Sequence, residues 1–182
     1  MATRARIGIK SSTGEITAAY QHWDGYPGGL GYKLCDHWTD MTKVKSAIEL
    51  GNASVWNQII GDKCDFDDRN CELHDVQNVY YSRDRGEKDQ EAHTYKSEQE
   101  YLENGFRSGE EYIYLLKDTG VKDAWGKPQG EWFYATRVWS DAKKDYDAAV
   151  AFQPLEAVAI QEHIDSLQRH LQSIKQRRAA RA

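Results

Sequence analysis

The sequence has few cysteines, no long apolar run and none of the common catalytic signatures. Its three cysteines form no even set, which favours a reduced, cytoplasmic protein over a disulfide-bonded secreted one. No apolar segment at the N-terminus resembles a signal peptide, and no apolar run approaches the length of a membrane span, so we expect no membrane partner. Gly-x-Ser-x-Gly, His-Glu-x-x-His and Cys/His nucleophile patterns are also missing, so no motif identifies an enzyme.

Phenylalanine is scarce, with 4 residues, whereas tryptophan and tyrosine are frequent, with 6 and 11. Because these two side chains combine apolar area with one polar group, they serve both protein cores and binding surfaces. The net charge of −5 repels a phosphate backbone, so direct binding to nucleic acid is not expected. An acidic protein of this kind is compatible with binding to a basic surface of another protein.

Hydrophobic periodicity divides the chain into short strands and helices. Alternation over residues 5–10 and 16–23 predicts an N-terminal hairpin whose first strand buries only the face that carries Ala5, Ile7 and Ile9. The other strand-like runs are 76–82, 111–117 and 131–138, the last two separated by a loop at 118–130; short helices are predicted from about 28, at 40–50 and at 97–105. We predict an α+β fold, with a mostly antiparallel sheet of about five strands, short helices and a long C-terminal helix.

The C-terminal residues differ from the rest of the chain. We predict an α+β globular domain at 1–150, followed by a heptad-patterned helix at 151–182. An isolated helix of this length is marginal in water, so its apolar stripe must pack on the domain or pair with another copy. We favour a homo-oligomer in which the stripe forms a coiled coil through Ile160, Ile164, Leu167, Leu171 and Ile174.

Four glycines lie in a loop at residues 24–31, between the second predicted strand and a predicted helix. Glycine lets the backbone approach a ligand closely, and free N–H groups at a helix start attract anions. Such a loop can form a phosphate or nucleotide site to which arginines of the first strand add charge. A lone glycine loop is a weak signal, and a tight strand-to-helix corner is the favoured interpretation. The residues predicted to bind the ligand here are Arg4, Arg6, Trp23, Asp24, Tyr26, Gly28 and Gly29.

His22 and Asp24 have the same parity along the second predicted strand, so the two side chains are expected to face one way. A histidine beside a carboxylate is the usual oriented base, so these residues are the catalytic candidates if the protein is an enzyme. Ile16, Ala18 and Tyr20 lie on the same face of this predicted strand, and their apolar character indicates that the face packs on the core. A histidine held by structural hydrogen bonds is therefore the favoured interpretation.

Arg83 and Arg85 flank an aspartate directly after a tyrosine-rich predicted strand. Two arginines at the mouth of a sheet form a clamp for a phosphate or carboxylate, and a solvated turn is the common alternative. Cys64, Cys71 and His74 offer only one short spacing, which does not match a structural zinc site. We therefore predict no metal ion and no cofactor.

Three motifs resemble a family of small uncharacterised phage and prophage proteins: residues 3–9 (TRARIGI), 22–27 (HWDGYP) and 83–87 (RDRGE). Where the family usually carries a histidine before the third motif, this chain has Ser82. The family has no agreed activity. What the resemblance implies is a small phage-encoded accessory protein that acts in the host cytoplasm.

Two hypotheses of different classes follow from these patterns. The first is a non-enzymatic phage accessory protein that binds and neutralises a host factor in host takeover or counter-defence, by binding a small nucleotide or a nucleic-acid-processing protein. The second is an enzyme acting on a nucleotide or another phosphorylated substrate, which requires the glycine loop and the arginine motif to meet in one pocket. A structural component of a phage is a third alternative. We favour the first hypothesis.

Overall fold

The computed structural model describes residues 2–68, 71–142, 144–147 and 151–179. Ten strands are present in this part of the chain: β1 Ala5–Lys10, β2 Ile16–Gln21, β3 Ala53–Val55, β4 Val79–Tyr80, β5 His93–Tyr95, β6 Tyr112–Lys122, β7 Pro128–Thr136, β8 Val138–Ser140, β9 Asp145–Asp147 and β10 Gln153–Pro154. Eight of them form a central sheet in the order β10-β7-β6-β1-β2-β3-β4, with β5 paired to β2, while β8 and β9 form a separate pair.

The α+β class is confirmed, and the sheet is larger than the predicted five strands. It is also mixed, although five of the seven pairings among its described strands are antiparallel, as predicted. The predicted N-terminal hairpin is present, with Ala5 opposite Gln21 and Lys10 opposite Ile16. On its other side, β1 pairs in parallel with β6, and β2 pairs in parallel with β3. Parallel pairs join strands that are distant in sequence, so local periodicity could not reveal them.

Both faces of the sheet are buried, although the pattern of β1 predicts only one buried face. Ala5 and Ile7 pack in the larger core, while Ile113 and Leu115 of β6 pack in a second core on the opposite face. Gly8 permits this second layer, since a Cβ atom there would lie 2.8 Å from the hydroxyl oxygen of Tyr101. The sheet is therefore a middle layer with helices packed on both of its faces.

The helices are α1 Tyr32–His37, α2 Met41–Glu49, α3 Tyr81–Arg85, α4 Glu98–Ser108 and α5 Glu156–Ala179, and a π-helical turn at Pro27–Gly31 precedes α1. Asp40 caps α2 by accepting from the N–H groups of Thr42 and Lys43. Ser97 caps α4 by accepting from the N–H of Glu100, and the Glu100 carboxylate accepts from the N–H of Lys96. Helices α1, α2 and α5 cover the larger core, and α4 covers the second.

Two predicted elements have different bounds in the structure. The strand predicted at 76–82 shrinks to β4, and the arginine motif that follows it forms α3 rather than a turn. The loop predicted at 118–130 is mostly a hairpin, since β6 extends to Lys122 and β7 begins at Pro128. The tip of this hairpin presents Trp125 to solvent.

Helix α5 begins inside the fold and ends outside it. Leu155 and Ala159 are fully buried in the larger core, and β10 adds to the edge strand β7 just before the helix. Farther along the helix, Ile160, Ile164, Leu167 and Leu171 are exposed. No helix in the part of the chain that the structure describes is both long and apolar enough to cross a membrane.

Candidate functional site

A polar cavity of about 250 Å³ opens on the second face of the sheet, between β1, β2, β5 and the end of α4. We call it the Arg4 cavity. Two of the arginines predicted to bind a ligand line it together, since residues two apart on a strand share a face. Its lining residues are Arg4, Arg6, Ala18, Tyr20, Asn52, His93, Tyr95, Ser108 and Glu110.

Arg6 is buried and fixed by partners within the protein. Its guanidinium forms an ion pair with Glu110, with 2.5 Å between Nη2 and Oε1. Its Nη1 donates to the hydroxyl of Tyr95 at 2.6 Å and to the side-chain oxygen of Asn104 at 2.8 Å. Arg6 therefore orients the wall of the cavity and holds one carboxylate oxygen of Glu110.

The other carboxylate oxygen of Glu110, Oε2, is buried. The side chain of Glu110 is almost fully buried, and Oε2 accepts no hydrogen bond from the residues that the structure describes. Burial raises the pKa of Glu110, while the charge of Arg6 opposes this rise. A buried carboxylate oxygen without a donor is costly, so this atom marks a position where a hydrogen-bond donor would be stabilised.

Arg4 contrasts with Arg6 because its side chain is exposed at the rim of the same cavity. Its backbone is held, with the N–H donating to Glu111 and the carbonyl accepting from the N–H groups of Glu111 and Tyr112. In the described ranges its guanidinium forms no ion pair. The position thus offers a cation with a fixed backbone and unused donors.

Tyr20 and His22 extend this polar region along β2. The Tyr20 hydroxyl lies 2.7 Å from Nδ1 of His22. Burial, together with the nearby Tyr81 phenol, raises the pKa of Tyr20 to about 12. Burial and then the charge of Arg4 lower the pKa of His22, so its imidazole is biased toward the neutral form.

His22 and Asp24, both described by the structure and expected to face the same way, form no hydrogen bond with each other. His22 instead contacts Tyr20 and, edge-on, the Trp23 ring at 4.7 Å. Asp24 is exposed, and its φ of 56° places it in the left-handed region that breaks the strand. Strand parity therefore fails at Asp24, because the chain has already turned.

The glycine loop serves the docking of helix α5. The Gly28 N–H donates to a carboxylate oxygen of Glu162 at 2.9 Å, and His163 Nδ1 donates to the Gly28 carbonyl. A Cβ atom on Gly28 would lie 2.7 Å from Cβ of Glu162, and a Cβ atom on Gly29 would meet the Tyr26 ring at 2.8 Å. The anion that this backbone binds is thus a side chain of the same protein.

Trp23 and Tyr26 lie beside this loop with their rings partly exposed. Neither residue lines the Arg4 cavity. Burial is the main cause that raises the pKa of Tyr26. Tyr26 is also close enough to α5 for the charge of Glu162 to raise this pKa and that of Arg169 to lower it. Tyr26 therefore borders the α5 docking surface, while Trp23 contacts His22 and Ser54.

The arginine motif is divided between a structural and a surface residue. Arg83 uses all its donors within the protein: it forms a bidentate pair with Asp84 and donates to the carbonyls of Ile60, Gly61 and Asn78. Arg85 is half-exposed, pairs with Glu87 at 3.2 Å and lies over the Phe66 ring. Neither arginine lines the Arg4 cavity, so the glycine loop and this motif do not meet in it.

Cys35, Cys64 and Cys71 are free thiols. Among the described residues, no group of three histidine, cysteine, aspartate or glutamate side chains is placed to hold a metal ion. Burial raises the pKa of Cys35 to about 12, which makes that thiol a poor nucleophile.

Several residues of the cavity were not predicted from the sequence. Asn52, His93 and Tyr95 come from segments that carry no motif, and Glu110 lies between a predicted helix and a predicted strand. Nothing in the sequence near Glu110 indicated that its carboxylate is buried and paired, because its partner Arg6 is 104 positions away. Only tertiary structure brings these groups together.

No protein-family model, no curated protein and no solved structure matches this chain.

Proposed function

We propose that the protein is a non-enzymatic binding protein, and that the Arg4 cavity holds a small molecule with an anionic group and an N–H donor, as in a nucleotide. The observation that carries this proposal is the combination of unused partners in the Arg4 cavity. Within the described part of the chain, the guanidinium of Arg4 has no counter-ion and Oε2 of Glu110 has no donor. A ligand with both kinds of group satisfies both residues.

The volume of the cavity supports a small ligand. Sites for drug-sized molecules usually measure about 300–1,000 Å³, and the Arg4 cavity is slightly smaller, at about 250 Å³. Tyr20, His93 and Tyr95 bring rings to its lining, and such rings pack against flat bases. A mononucleotide has the charge, the donors and the flat ring that this lining can contact.

The proposed biological role is that of a phage accessory protein in the host cytoplasm. The resemblance of residues 3–9, 22–27 and 83–87 to phage proteins supports this context. Capture of a small nucleotide would neutralise a host factor that depends on it, which is a form of counter-defence. Binding requires fewer aligned groups than catalysis, and the histidine and aspartate proposed for catalysis are not hydrogen-bonded to each other.

The test is isothermal titration calorimetry with AMP, GMP, CMP, UMP and inorganic phosphate. We expect at least one nucleotide to bind more tightly than inorganic phosphate, since phosphate alone leaves Oε2 of Glu110 without a donor. Arg4→Ala should weaken binding about tenfold or more, because a charge-assisted hydrogen bond contributes about 1.5–3 kcal/mol. Arg107→Ala removes an exposed arginine of α4 outside the cavity lining and should leave affinity unchanged.

Glu110→Gln provides a second variant, in which a similar shape replaces the carboxylate. It should weaken nucleotide binding but not phosphate binding, provided that thermal melting shows a folded protein. If no probe binds, or if Arg107→Ala weakens binding as much as Arg4→Ala, the proposal fails. Conversion of a bound nucleotide, followed by phosphorus NMR, would instead favour the enzyme hypothesis.

A further inference from the structure

Helix α5 contacts the domain on one face and carries an apolar stripe on another face that the domain leaves exposed. Leu155, Ala159, Glu162 and His163 face the domain, through the core and the glycine loop. The apolar stripe consists of Ala157, Ile160, Ile164, Leu167, Leu171 and Ile174, and we call it the α5 seam. At 100° per residue, the seam lies roughly 115° around the helix axis from the domain-facing residues.

The exposure of the seam is large for side chains of this type. Ile160 and Ile164 are 41 % exposed, Leu167 is 56 % exposed and Leu171 is 52 % exposed. Spacings of three and four residues continue without interruption, as in a two-stranded coiled coil. Because the domain contacts a different face of the helix, a partner helix can cover the seam without displacing the contacts between α5 and the domain.

The charge along α5 changes sign near its middle. Glu156, Glu162 and Asp165 lie in the first half, which has no lysine or arginine. The second half, residues 166–178, contains no acidic residue; its basic residues are Arg169, Lys175, Arg177 and Arg178. A parallel pair of helices would place each half beside its like-charged copy, whereas an antiparallel pair would place opposite charges together.

The position of the domain at one end of α5 also favours an antiparallel pair of helices. Core packing, hydrogen bonds and ring stacking join the domain to residues 155–163, and nearly every side chain at 166–178 is exposed. The second half of the helix therefore projects away from the domain. An antiparallel pair places each domain beside the projecting half of the other helix. A parallel pair would crowd both domains at one end.

From these observations we propose that the α5 seam binds a second copy of this chain, with the two α5 helices antiparallel. In one antiparallel register, every seam residue lies opposite a seam residue of the second copy. This register places Ile160 opposite Leu171, and Ile164 opposite Leu167. Ala157 then lies opposite Ile174, and Glu156 lies beside Arg177 of the other helix. The pairing does not depend on the ligand of the Arg4 cavity.

The association is tested by sedimentation velocity of the full chain over a concentration series. The native chain should dimerise, and the double variant Leu167→Ala with Leu171→Ala should sediment as a monomer. The matched control, Gln168→Ala with Gln172→Ala, changes two exposed residues of the same turns and should stay dimeric. Tryptophan fluorescence and thermal melting verify that each variant is folded, and a monomeric native chain at every concentration overturns the proposal.

The direction is tested by disulfide trapping between Ile160→Cys and Leu171→Cys chains. In an antiparallel pair, an equal mixture of the two variants forms a disulfide between positions 160 and 171, and either variant alone forms none at its new cysteine. Peptide mass spectrometry separates these disulfides from any that involve the three native cysteines. Gln172→Cys mixed with Ile160→Cys is the control outside the seam. Disulfides between like positions, 160 with 160 or 171 with 171, would overturn the antiparallel arrangement.

Discussion

At the residue scale, Arg4 and Arg6 show how two similar side chains on one strand acquire different roles. Arg6 points under α4 and donates to Glu110, Tyr95 and Asn104. Arg4 lies at the rim of the cavity, and its guanidinium pairs with no residue that the structure describes. An internal ion pair of this kind stabilises little by itself, but breaking it leaves a buried charge. Only the exposed arginine is therefore available to a ligand.

The charge of Arg4 should be detectable at His22. Burial and then Arg4 lower the pKa of this histidine below its ordinary 6.5. Arg4→Ala removes the second cause, so the pKa of His22 should rise part of the way back, because burial remains. NMR titration of the histidine ring signals measures the shift, with the His22 signal assigned by its loss in His22→Gln. Arg107→Ala should leave that titration unchanged, and an unchanged value in Arg4→Ala would contradict the proximity of the two groups.

Asp84 provides the clearest dependence of stability on pH. Burial of this carboxyl opposes its ionisation, but hydrogen bonds from Arg83 and from the N–H groups of Tyr80 and Cys64 lower its pKa below 3.8. The ionised form therefore stabilises the fold above pH 3.8, and this contribution is lost as the pH falls through the lowered pKa. Breaking a buried pair costs about 3–5 kcal/mol, so Asp84→Asn should be strongly destabilised at neutral pH.

The difference between Asp84→Asn and the native chain should shrink as the solution is acidified. Urea unfolding followed by tryptophan fluorescence, at several pH values between neutral and acid, measures it. Glu91→Gln, a change at an exposed carboxylate, serves as the control and should have little effect. A difference that stays constant across the acid range would show that Asp84 does not titrate in the expected direction.

At the scale of elements, the glycine loop and α5 form one unit. Periodicity predicted the helix, and the glycines predicted a close approach of the backbone. Neither pattern indicated that the approaching group is Glu162, which lies 134 residues after Gly28. A carboxylate at a turn rich in N–H groups is favourable for the same reason that a phosphate would be.

Gly28→Ala should loosen helix α5 from the domain. The added Cβ atom would lie 2.7 Å from Cβ of Glu162 and 2.9 Å from its carbonyl carbon, so the helix must shift. Overpacking of this kind costs about 1–3 kcal/mol. Hydrogen exchange of the amides of residues 156–163 should become faster, and urea unfolding should report the lost stability. Gln161→Ala, an exposed change on the same helix, should alter neither, and unchanged exchange in Gly28→Ala would contradict the tight contact.

At the scale of the whole molecule, the sheet ties together segments from both ends of the chain. Strand β1 pairs in parallel with β6, and β10 adds to β7 immediately before α5. Leu155 and Ala159 then enter the same core as Ile7 and Trp38. The division predicted at residue 150 separates groups that the core holds together.

A chain that ends at residue 150 should be much less stable than the full chain. It lacks Leu155 and Ala159, both fully buried, and deletion of a large buried aliphatic side chain alone costs about 2–5 kcal/mol. A chain that ends at residue 165 keeps these contacts and Glu162, and is the matched control. Thermal melting should show a clear loss for the shorter chain only. Equal melting of the two would establish 1–150 as an independent domain.

The amino-acid sequence by itself determined the class of the fold, the hairpin of β1 and β2, the helices α2 and α4, and the apolar periodicity of α5. These features depend on neighbours in the chain, and local patterns carry that information. It also located Arg4, Arg6 and His22 in one region. Tertiary structure alone decided that β1 pairs with β6, that both faces of the sheet are buried, and that Glu162 occupies the glycine loop. It also decided that Glu110 meets Arg6 and leaves one oxygen free, because such contacts join residues about a hundred positions apart.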